Sequence, residues 1–500
     1  MMPLPLQAPE QFRWHFAPTA SEALRQFLTE GRWAVAAEVL KQNRRRTVYR
    51  VPGPLGLIIK HDRPPRFVDW VKAAWRHPGQ REYEAGMLAL ERGLPAPPPV
   101  GFARRGAETL FAAVELAGCE DLRQAWRRAQ ADRVWRGRLL SALAVFARTF
   151  VAARVRHPDL HSGNLLVRDQ GGAVECFLID LVGARPLPAG ARFAPWEALG
   201  WITQLAPSIE LREVCRLLAA GGELPGAAEP LALWWAFLRR AGHDTARRWP
   251  GRRARLLRSS SLCEAVAAAE GRWRLSPPFP LQTAQEALRL HEANVAAERL
   301  LKRDRKRRLS RVLVDGRPFV VKEFLAPGWG VWRADRRSWL NHYRLGPEVF
   351  RVCRCHAWLQ GRRRGVLILE DVGASNLHEA ARTADAASRR NLLAAAVRLI
   401  AALHTAGTVP RDMKATNIVA CAPGAARGPV CLVDADAIRF DVEVSLADRA
   451  DNLRQFLENL PAEVTLRERL RVGVVYRLAA GVCRADLRRL LGCLSPLAPS

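Results

Sequence analysis

His157-Pro158-Asp159-Leu160-His161-Ser162-Gly163-Asn164-Leu165-Leu166, followed by Phe177-Leu178-Ile179-Asp180, is written twice in this chain. The second version reads Pro410-Arg411-Asp412-Met413-Lys414-Ala415-Thr416-Asn417-Ile418-Val419, followed by Cys431-Leu432-Val433-Asp434. Each has an Asp, an Asn five positions on, apolar β-formers, a turn, and a second apolar run that ends in Asp. Phosphoryl transfer from a nucleotide draws on this inventory. One carboxylate takes the proton of the attacking hydroxyl, while an amide and a second carboxylate hold Mg²⁺ on the phosphates. Two copies imply two domains of the same kind.

The repeat extends outward. Glu115-Leu116-Ala117-Gly118-Cys119-Glu120-Asp121-Leu122 matches Glu370-Asp371-Val372-Gly373-Ala374-Ser375-Asn376-Leu377 in the spacing of acid, Gly and the polar-Leu pair. Further upstream, a basic run from Lys41 to Arg46 precedes Ile58-Ile59-Lys60, and a run from Lys302 to Arg308 precedes Val320-Val321-Lys322. Four landmarks recur in one order, which chance explains poorly.

The 500 residues suffice for two or three domains with proper cores, and 49% hydrophobic with 25% charged residues is ordinary for a globular protein. The balance of 78 basic against 49 acidic side chains, +29 in all, favours an anionic partner: nucleic acid, a phosphorylated glycolipid or an acidic membrane face. An Arg-rich, Ala-rich composition also accounts for part of that charge without any partner. No recognised nucleic-acid motif is present, so nucleic acid is the disfavoured choice. The ten cysteines lack paired spacing, and Cys353-Arg354-Cys355 has no second Cys/His pair at zinc-site distance, so they read as reduced. The start has neither a basic n-region nor a long apolar h-region, and Arg148 and Arg398 interrupt the most apolar helical stretches. The expectation is a cytoplasmic protein that can lie peripherally on a membrane.

Strand signals at Thr47 to Val51 and Leu57 to Lys60 precede a helical stretch around Arg81 to Leu90, closed by Gly93 and the prolines from Pro95 to Pro99. From Leu139 to about Ala153 an apolar helix runs into the His157 loop. A hairpin around Asp169-Gln170-Gly171-Gly172 then brings Asn164 and Asp180 side by side. The second unit repeats this plan with a hairpin on Asp315-Gly316 and a buried helix from Leu392 to Leu403. The basic segment from Arg247 to Arg258 and the Pro277-Pro278 region read as a surface stretch and linker. The expected division is an extension over 1–30, a first domain over 31–277 and a second over 278–500.

Asp159 and Asp412 are the candidate general bases. Asn164 with Asp180, and Asn417 with Asp434, are the candidate metal ligands, a hard oxygen set suited to Mg²⁺. Lys60 and Lys322 are placed to steady the α/β-phosphates of ATP, and Glu82 to hold Lys60 by an ion pair; Glu84, two residues along, lies on a different helical face. Taken singly, each Asp or Asn reads as a turn or cap residue, and a solvated strand end is the alternative for Lys60 and Lys322. The order Lys, Glu, Asp-x₄-Asn, Asp is what favours chemistry.

With these residues in view, the Asp159 to Asn164 loop, the Glu82-Tyr83 to Gly93-Leu94-Pro95 helix and the Arg411 to Asn417 loop resemble the lipopolysaccharide kinase (Kdo/WaaP) family, related to the RIO and eukaryotic-type protein kinases. The resemblance spans roughly Gly31 to Leu187 and Glu298 to Leu460. It implies an α+β fold of two tandem bilobal protein-kinase-like domains, each with a small β-rich N-lobe and a mainly helical C-lobe. It also implies ATP and Mg²⁺ as cofactors and a sugar hydroxyl of an anionic envelope glycolipid as acceptor.

Departures from that pattern are informative. Neither unit has a glycine-rich phosphate loop; basic clusters stand there instead, read either as phosphate-neutralising or as solvated turns. The second unit shows no counterpart of Glu82 and has Pro410 in place of His. Pro158 replaces the Arg that reads activation-loop phosphorylation in protein kinases, so activity independent of such phosphorylation is expected. A protein Ser/Thr or small-molecule kinase, and a pseudokinase pair that binds nucleotide or anionic lipid, remain as alternatives.

Overall fold

The computed structural model describes residues 9–42, 45–53, 56–64, 77–191, 193, 213, 217, 230–345, 350–373, 375–421 and 429–492. Asn43 and Arg44 of the first basic cluster lie outside them. The chain forms two compact units, one of Met1–Ile202 with Leu211–Pro230 and one of Thr203–Glu210 with Leu231–Ser500.

The first unit opens with an antiparallel sheet of β1 (Arg13–Phe16), β2 (Glu38–Gln42), β3 (Arg46–Val51), β4 (Leu57–Asp62), β5 (Pro99–Arg105) and β6 (Glu108–Val114), in the order β1-β5-β6-β4-β3-β2. Alternation along each strand assigns its faces. Thr47, Tyr49 and Val51 of β3 and Leu57, Ile59 and His61 of β4 are buried. They meet Phe12, Leu28 and Trp33 in one core, where α1 (Glu22–Thr29) contributes Leu28. Each such aliphatic side chain contributes roughly 1.5–3 kcal/mol when fully buried. The intervening Arg46, Val48, Ile58 and Lys60 are therefore left for the opposite face, where they line a cleft.

Helix α2 (Pro78–Glu91) lies close against this sheet because two glycines share its inner face. A Cβ at Gly79 would stand 2.6 Å from the Leu110 carbonyl oxygen, and one at Gly86 2.6 Å from the Pro99 ring. Glu82 falls between them, one turn from each. Below the sheet, α3 (Leu122–Ala131) and α4 (Arg133–Ala153) start on Asp121 and Asp132, whose carboxylates accept from Gln124 N and Trp135 N. Leu139, Leu143, Phe146 and Phe150 bury the inner face of α4, which leads into the His157 loop and a hairpin of Leu165–Asp169 with Val174–Leu178.

The second unit repeats this topology. Its sheet comprises β7 (Glu264–Ala268), β8 (Gly271–Leu275), β9 (Lys302–Arg303), β10 (Arg307–Val314), β11 (Arg317–Leu325), β12 (Cys355–Gln360) and β13 (Arg364–Glu370), in the order β7-β8-β12-β13-β11-β10-β9. With β7 set aside as an added edge, each strand has its equivalent in the first sheet. The β10–β11 hairpin turns on Asp315 and Gly316, both at positive φ (50° and 73°), the backbone of a two-residue turn that suits right-twisted strands. Helix α7 (Ala334–Leu345) follows β11. The helical part comprises α8 (Leu377–Thr383), α9 (Ala386–Thr405), α10 (Leu446–Glu458), α11 (Leu466–Ala480) and α12 (Arg484–Gly492), packed on the fully buried Ala396, Val397, Ile400 and Leu403 of α9.

Two expectations differ from this architecture. Residues 1–30 are not an appendage, because β1 pairs with β5 in register from Arg13–Arg104 to Phe16–Gly101 and α1 closes the core. Residues 264–275 do not end the first domain, because β8 pairs with β12 of the second sheet and buries Trp273 and Leu275. Each sheet opens with a strand and a helix, α1 in one unit and α6 (Leu281–Ala296) in the other, before its basic hairpin. Residues 247–256 form the end of α5 (Pro230–Leu256), largely exposed, with Trp249 and Leu256 buried.

Candidate active site

In the first unit β4, α2 and the end of the hairpin converge on one cleft of about 370 Å³. Lys60 Nζ on β4 donates to Glu82 Oε1 on α2 and lies 3.1 Å from Asp180 Oδ1. Glu84, the rival on that helix, is turned away, accepting from Gln80 Nε2 at 2.6 Å. Asn164 and Asp180 both line the cleft, brought together by Ile179 N donating to Asn164 O at 2.9 Å. Asn164 Nδ2 donates to Asp159 O at 3.0 Å, which ties the candidate metal ligand to the candidate base. The Asp159 carboxylate is itself exposed, 3.6 Å from His161 Nε2. Val48, Ile58, Phe111, Ala113, Leu116 and Leu166 form an apolar end to the cleft, suited to a flat, uncharged heterocycle.

His157 locks this loop. Its Nδ1 accepts from Asp159 N at 3.2 Å and its Nε2 donates to Asp180 O at 3.1 Å, a pairing that requires the neutral ring; burial lowers its pKa and favours that form. Asp180 is thereby held at φ +60°, a conformation an L-residue adopts only at a cost that its surroundings must offset. Burial pushes the Glu82 carboxyl above its ordinary value, against the pull of Lys60 and Arg46. Burial acts on Asp180 in the same sense, but Lys60 and Arg46 outweigh it and hold that carboxyl below its usual range.

The second unit gathers Lys322, Asn417 and Asp434 along a cleft of about 330 Å³. Lys322 Nζ lies 3.2 Å from Asp434 Oδ1, and Asn417 Nδ2 donates to Asp412 O at 2.8 Å, matching the first unit bond for bond. Asp412 is exposed and paired with Lys414 at 2.9 Å. Burial pushes the Asp434 carboxyl up, yet Lys322, the Asp436 amide and Arg307 together hold it far below its normal value.

Three features escaped the sequence reading. Arg46 of β3 forks onto Asp62 (2.7 and 3.0 Å) and reaches Asp180 at 3.2 Å; Arg307 of β10 stands 2.8 Å from Asp436 and 3.5 Å from Asp434. Each basic cluster thus sends one arginine onto the candidate metal-binding carboxylate. The third feature is Asp436, 2.7 Å from Lys322 Nζ. Where α2 presents Glu82, α7 presents Ser338, whose hydroxyl donates to Asp436 Oδ1 at 2.7 Å. The lysine's second acid has moved from the helix to the loop. The Asp434-Ala435-Asp436 spacing was the available signal, since the first unit has Asp180-Leu181-Val182 there.

These donor sets fit Mg²⁺. Asn164 Nδ2 and Asn417 Nδ2 are committed to backbone carbonyls, so each amide oxygen is the atom left to join the carboxylate of Asp180 or Asp434. Among the described residues no three His, Cys, Asp or Glu side chains cluster to hold a metal alone. A site with one carboxylate and one amide suits an ion that completes its shell with water and phosphate oxygens.

No curated protein matches the chain. Among solved structures, the pseudokinase domain of BIR2, an immune regulator of the RLK/Pelle family, is similar at 12% identity and a TM-score of 0.29, over 49% of this chain and 95% of that one. Over residues 79–194, which hold Glu82, Asp159, Asn164 and Asp180, the chain matches the model of the lipopolysaccharide kinase (Kdo/WaaP) family.

Proposed function

We propose that this chain is an ATP- and Mg²⁺-dependent phosphotransferase built from two tandem kinase-like domains, acting on a sugar hydroxyl of the lipopolysaccharide core or a related envelope glycolipid. The observation that carries the reading is the joining of Lys60, Glu82, Asn164 and Asp180 in one cleft, with Asp159 bonded to Asn164 through its backbone. The match over residues 79–194 supports the sugar acceptor.

Bound Mg²⁺-ATP supplies the phosphoryl group and the charge neutralisation that its transfer needs. The chain's own residues then divide the work. Glu82 holds the Lys60 ammonium where it can meet phosphate oxygens, and Asn164 and Asp180 offer two hard oxygens beside it. Asp159, exposed to an incoming acceptor, takes the hydroxyl proton. Arg46 can leave Asp180 for phosphate while its fork onto Asp62 keeps it in reach. In the second unit Asp436 takes the part of Glu82, which favours a domain that still binds nucleotide.

Transfer of labelled phosphate from ATP to purified core glycolipid, set against generic protein and aminoglycoside acceptors, tests this. Labelling of the glycolipid alone supports it. Labelling of protein or aminoglycoside instead moves the chain to another branch of the superfamily.

A further inference from the structure

In the second unit the lysine strand β11 does not pass directly into α7. Between them the chain makes a loop, Ala326-Pro327-Gly328-Trp329-Gly330-Val331-Trp332-Arg333, whose base is fixed and whose tip is bare. Pro327 is buried, and its carbonyl accepts from Ala334 N at 2.8 Å to close the loop. Arg333, also buried, is paired with Asp335 at 2.7 Å. Trp332 N donates to Trp329 O at 3.0 Å in a single tight turn. Gly328 and Gly330, at φ +90° and +53°, take up the reversals on either side of Trp329.

This well-anchored turn holds two indoles in water. Trp329 is 90% exposed and Trp332 80%, whereas every other tryptophan with a described side chain is buried or half-buried. An indole can bury some 150–250 Å² of surface, so exposing two of them on a pinned loop forgoes appreciable stabilisation.

The surroundings identify what would cover them. Leu325 N donates to Lys306 O at 2.8 Å and Ala326 N to Arg363 O at 3.3 Å, so the loop rises between the β9–β10 turn and the β12–β13 turn. Those turns expose Arg305, Lys306, Arg362 and Arg363, with no carboxylate paired to any of the four among the described residues. The nearby acids are already engaged: Asp304 with Arg307, Glu298 with Arg303, and Glu292 with Arg364. Two indoles flanked by four uncommitted cations, on a projecting turn and not in a groove, match a surface with negative headgroups over an apolar layer. In the sequence alone, the corresponding interval of the first unit, between Lys60 and Glu82, also carries two tryptophans, Trp70 and Trp75, the second again followed by Arg.

We propose that the Trp329–Trp332 turn is a membrane-docking element that seats its indoles at the headgroup level of an anionic bilayer while the flanking basic turns bind lipid phosphates. The proposal stands apart from the phosphotransferase reading, since it requires no turnover.

Co-sedimentation of the full chain with vesicles of phosphatidylcholine alone, and of phosphatidylcholine mixed with phosphatidylglycerol, tests it. Wild type should pellet with the mixed vesicles only, and release as salt is raised. Trp329→Ser with Trp332→Ser should weaken binding about tenfold or more. Each of Arg305→Ser, Lys306→Ser, Arg362→Ser and Arg363→Ser should weaken it about fivefold. Asp159→Ala should bind as wild type does, so loss of activity and loss of docking are separable. Undiminished binding by the double tryptophan variant, with an unchanged circular dichroism spectrum, overturns the proposal. So does absence of wild-type binding, or tryptophan-dependent binding of single-stranded nucleic acid in preference to vesicles.

Discussion

At the scale of single residues, the two units solve one problem in two ways. A lysine on a central strand must be held against its own flexibility and paired when buried, because an unpaired buried charge is strongly destabilising. The first unit provides Glu82 from a helix, and the second provides Asp436 from a loop, steadied by Ser338. Asp436→Ala leaves Lys322 with Asp434 alone at 3.2 Å and should therefore destabilise the second unit by roughly 1–3 kcal/mol in a denaturant melt. Adding Ser338→Glu to it should recover most of that loss by recreating the first unit's arrangement; no recovery would mean that Asp436 is not the stand-in for Glu82. Asp159→Ala should behave in the opposite way, since the carboxylate is exposed: thermal stability unchanged, and turnover reduced about 10²- to 10⁴-fold, the range for loss of a positioned base.

At the scale of elements, the placing of Glu82 depends on α2 lying close to its sheet. Gly86→Val should push α2 from Pro99 and separate Glu82 from Lys60, raising the dissociation constant for ATP while leaving Asp159 and Asn164 in place. In the second unit, buried histidines link elements. His404 of α9 bonds Tyr476 of α11 at 2.7 Å and Asn452 of α10 at 2.9 Å, and burial, reinforced by Arg449, lowers its pKa to about 4. His342 of α7 is also lowered to about 4, by burial and then by Lys322. Both rings stay neutral in the folded chain but take up protons near their ordinary value of about 6.5 once unfolded. The unfolded state thus binds more protons between about pH 6.5 and 4, so stability should fall as pH drops through that window. A melting temperature flat over that interval would contradict the assignment of neutral, buried rings.

Much of the candidate site was legible in the sequence because its spacing is local. Asp-x₄-Asn and the following hairpin to Asp are set by one loop and one turn, and Lys60 by the period of a strand. The Lys60–Glu82 pair was expected from the order of Lys and Glu along the chain, and the structure joins them through a helix that two glycines hold close to the sheet. The relocated acid was not, because Asp436 meets Lys322 across 114 residues and only packing shows that α7 offers a serine there. The opening strands were missed for a different reason. β7 is Glu264-Ala265-Val266-Ala267-Ala268, with a single β-branched residue, and β1 alternates Trp14 and Phe16 with polar residues but over only four positions, too short a run to declare itself. Their identity as strands comes from the sheet edge that accepts them.

At the scale of the whole molecule, the same sheet order appears in both units among the described residues, and in each an arginine of the basic hairpin reaches the carboxylate that lines the cleft. No helix among the described residues is long and apolar enough to cross a membrane. In the proposed function, phosphoryl transfer runs on Asp159 with Lys60, Asn164 and Asp180. The most direct measurement is Mg²⁺-dependent transfer from ATP to purified core glycolipid by wild type, Asp159→Ala, Asp412→Ala and the double variant. Asp159→Ala should lose nearly all transfer and Asp412→Ala should retain it. Near-wild-type transfer by Asp159→Ala, or none by wild type with any glycolipid, would contradict the proposed function.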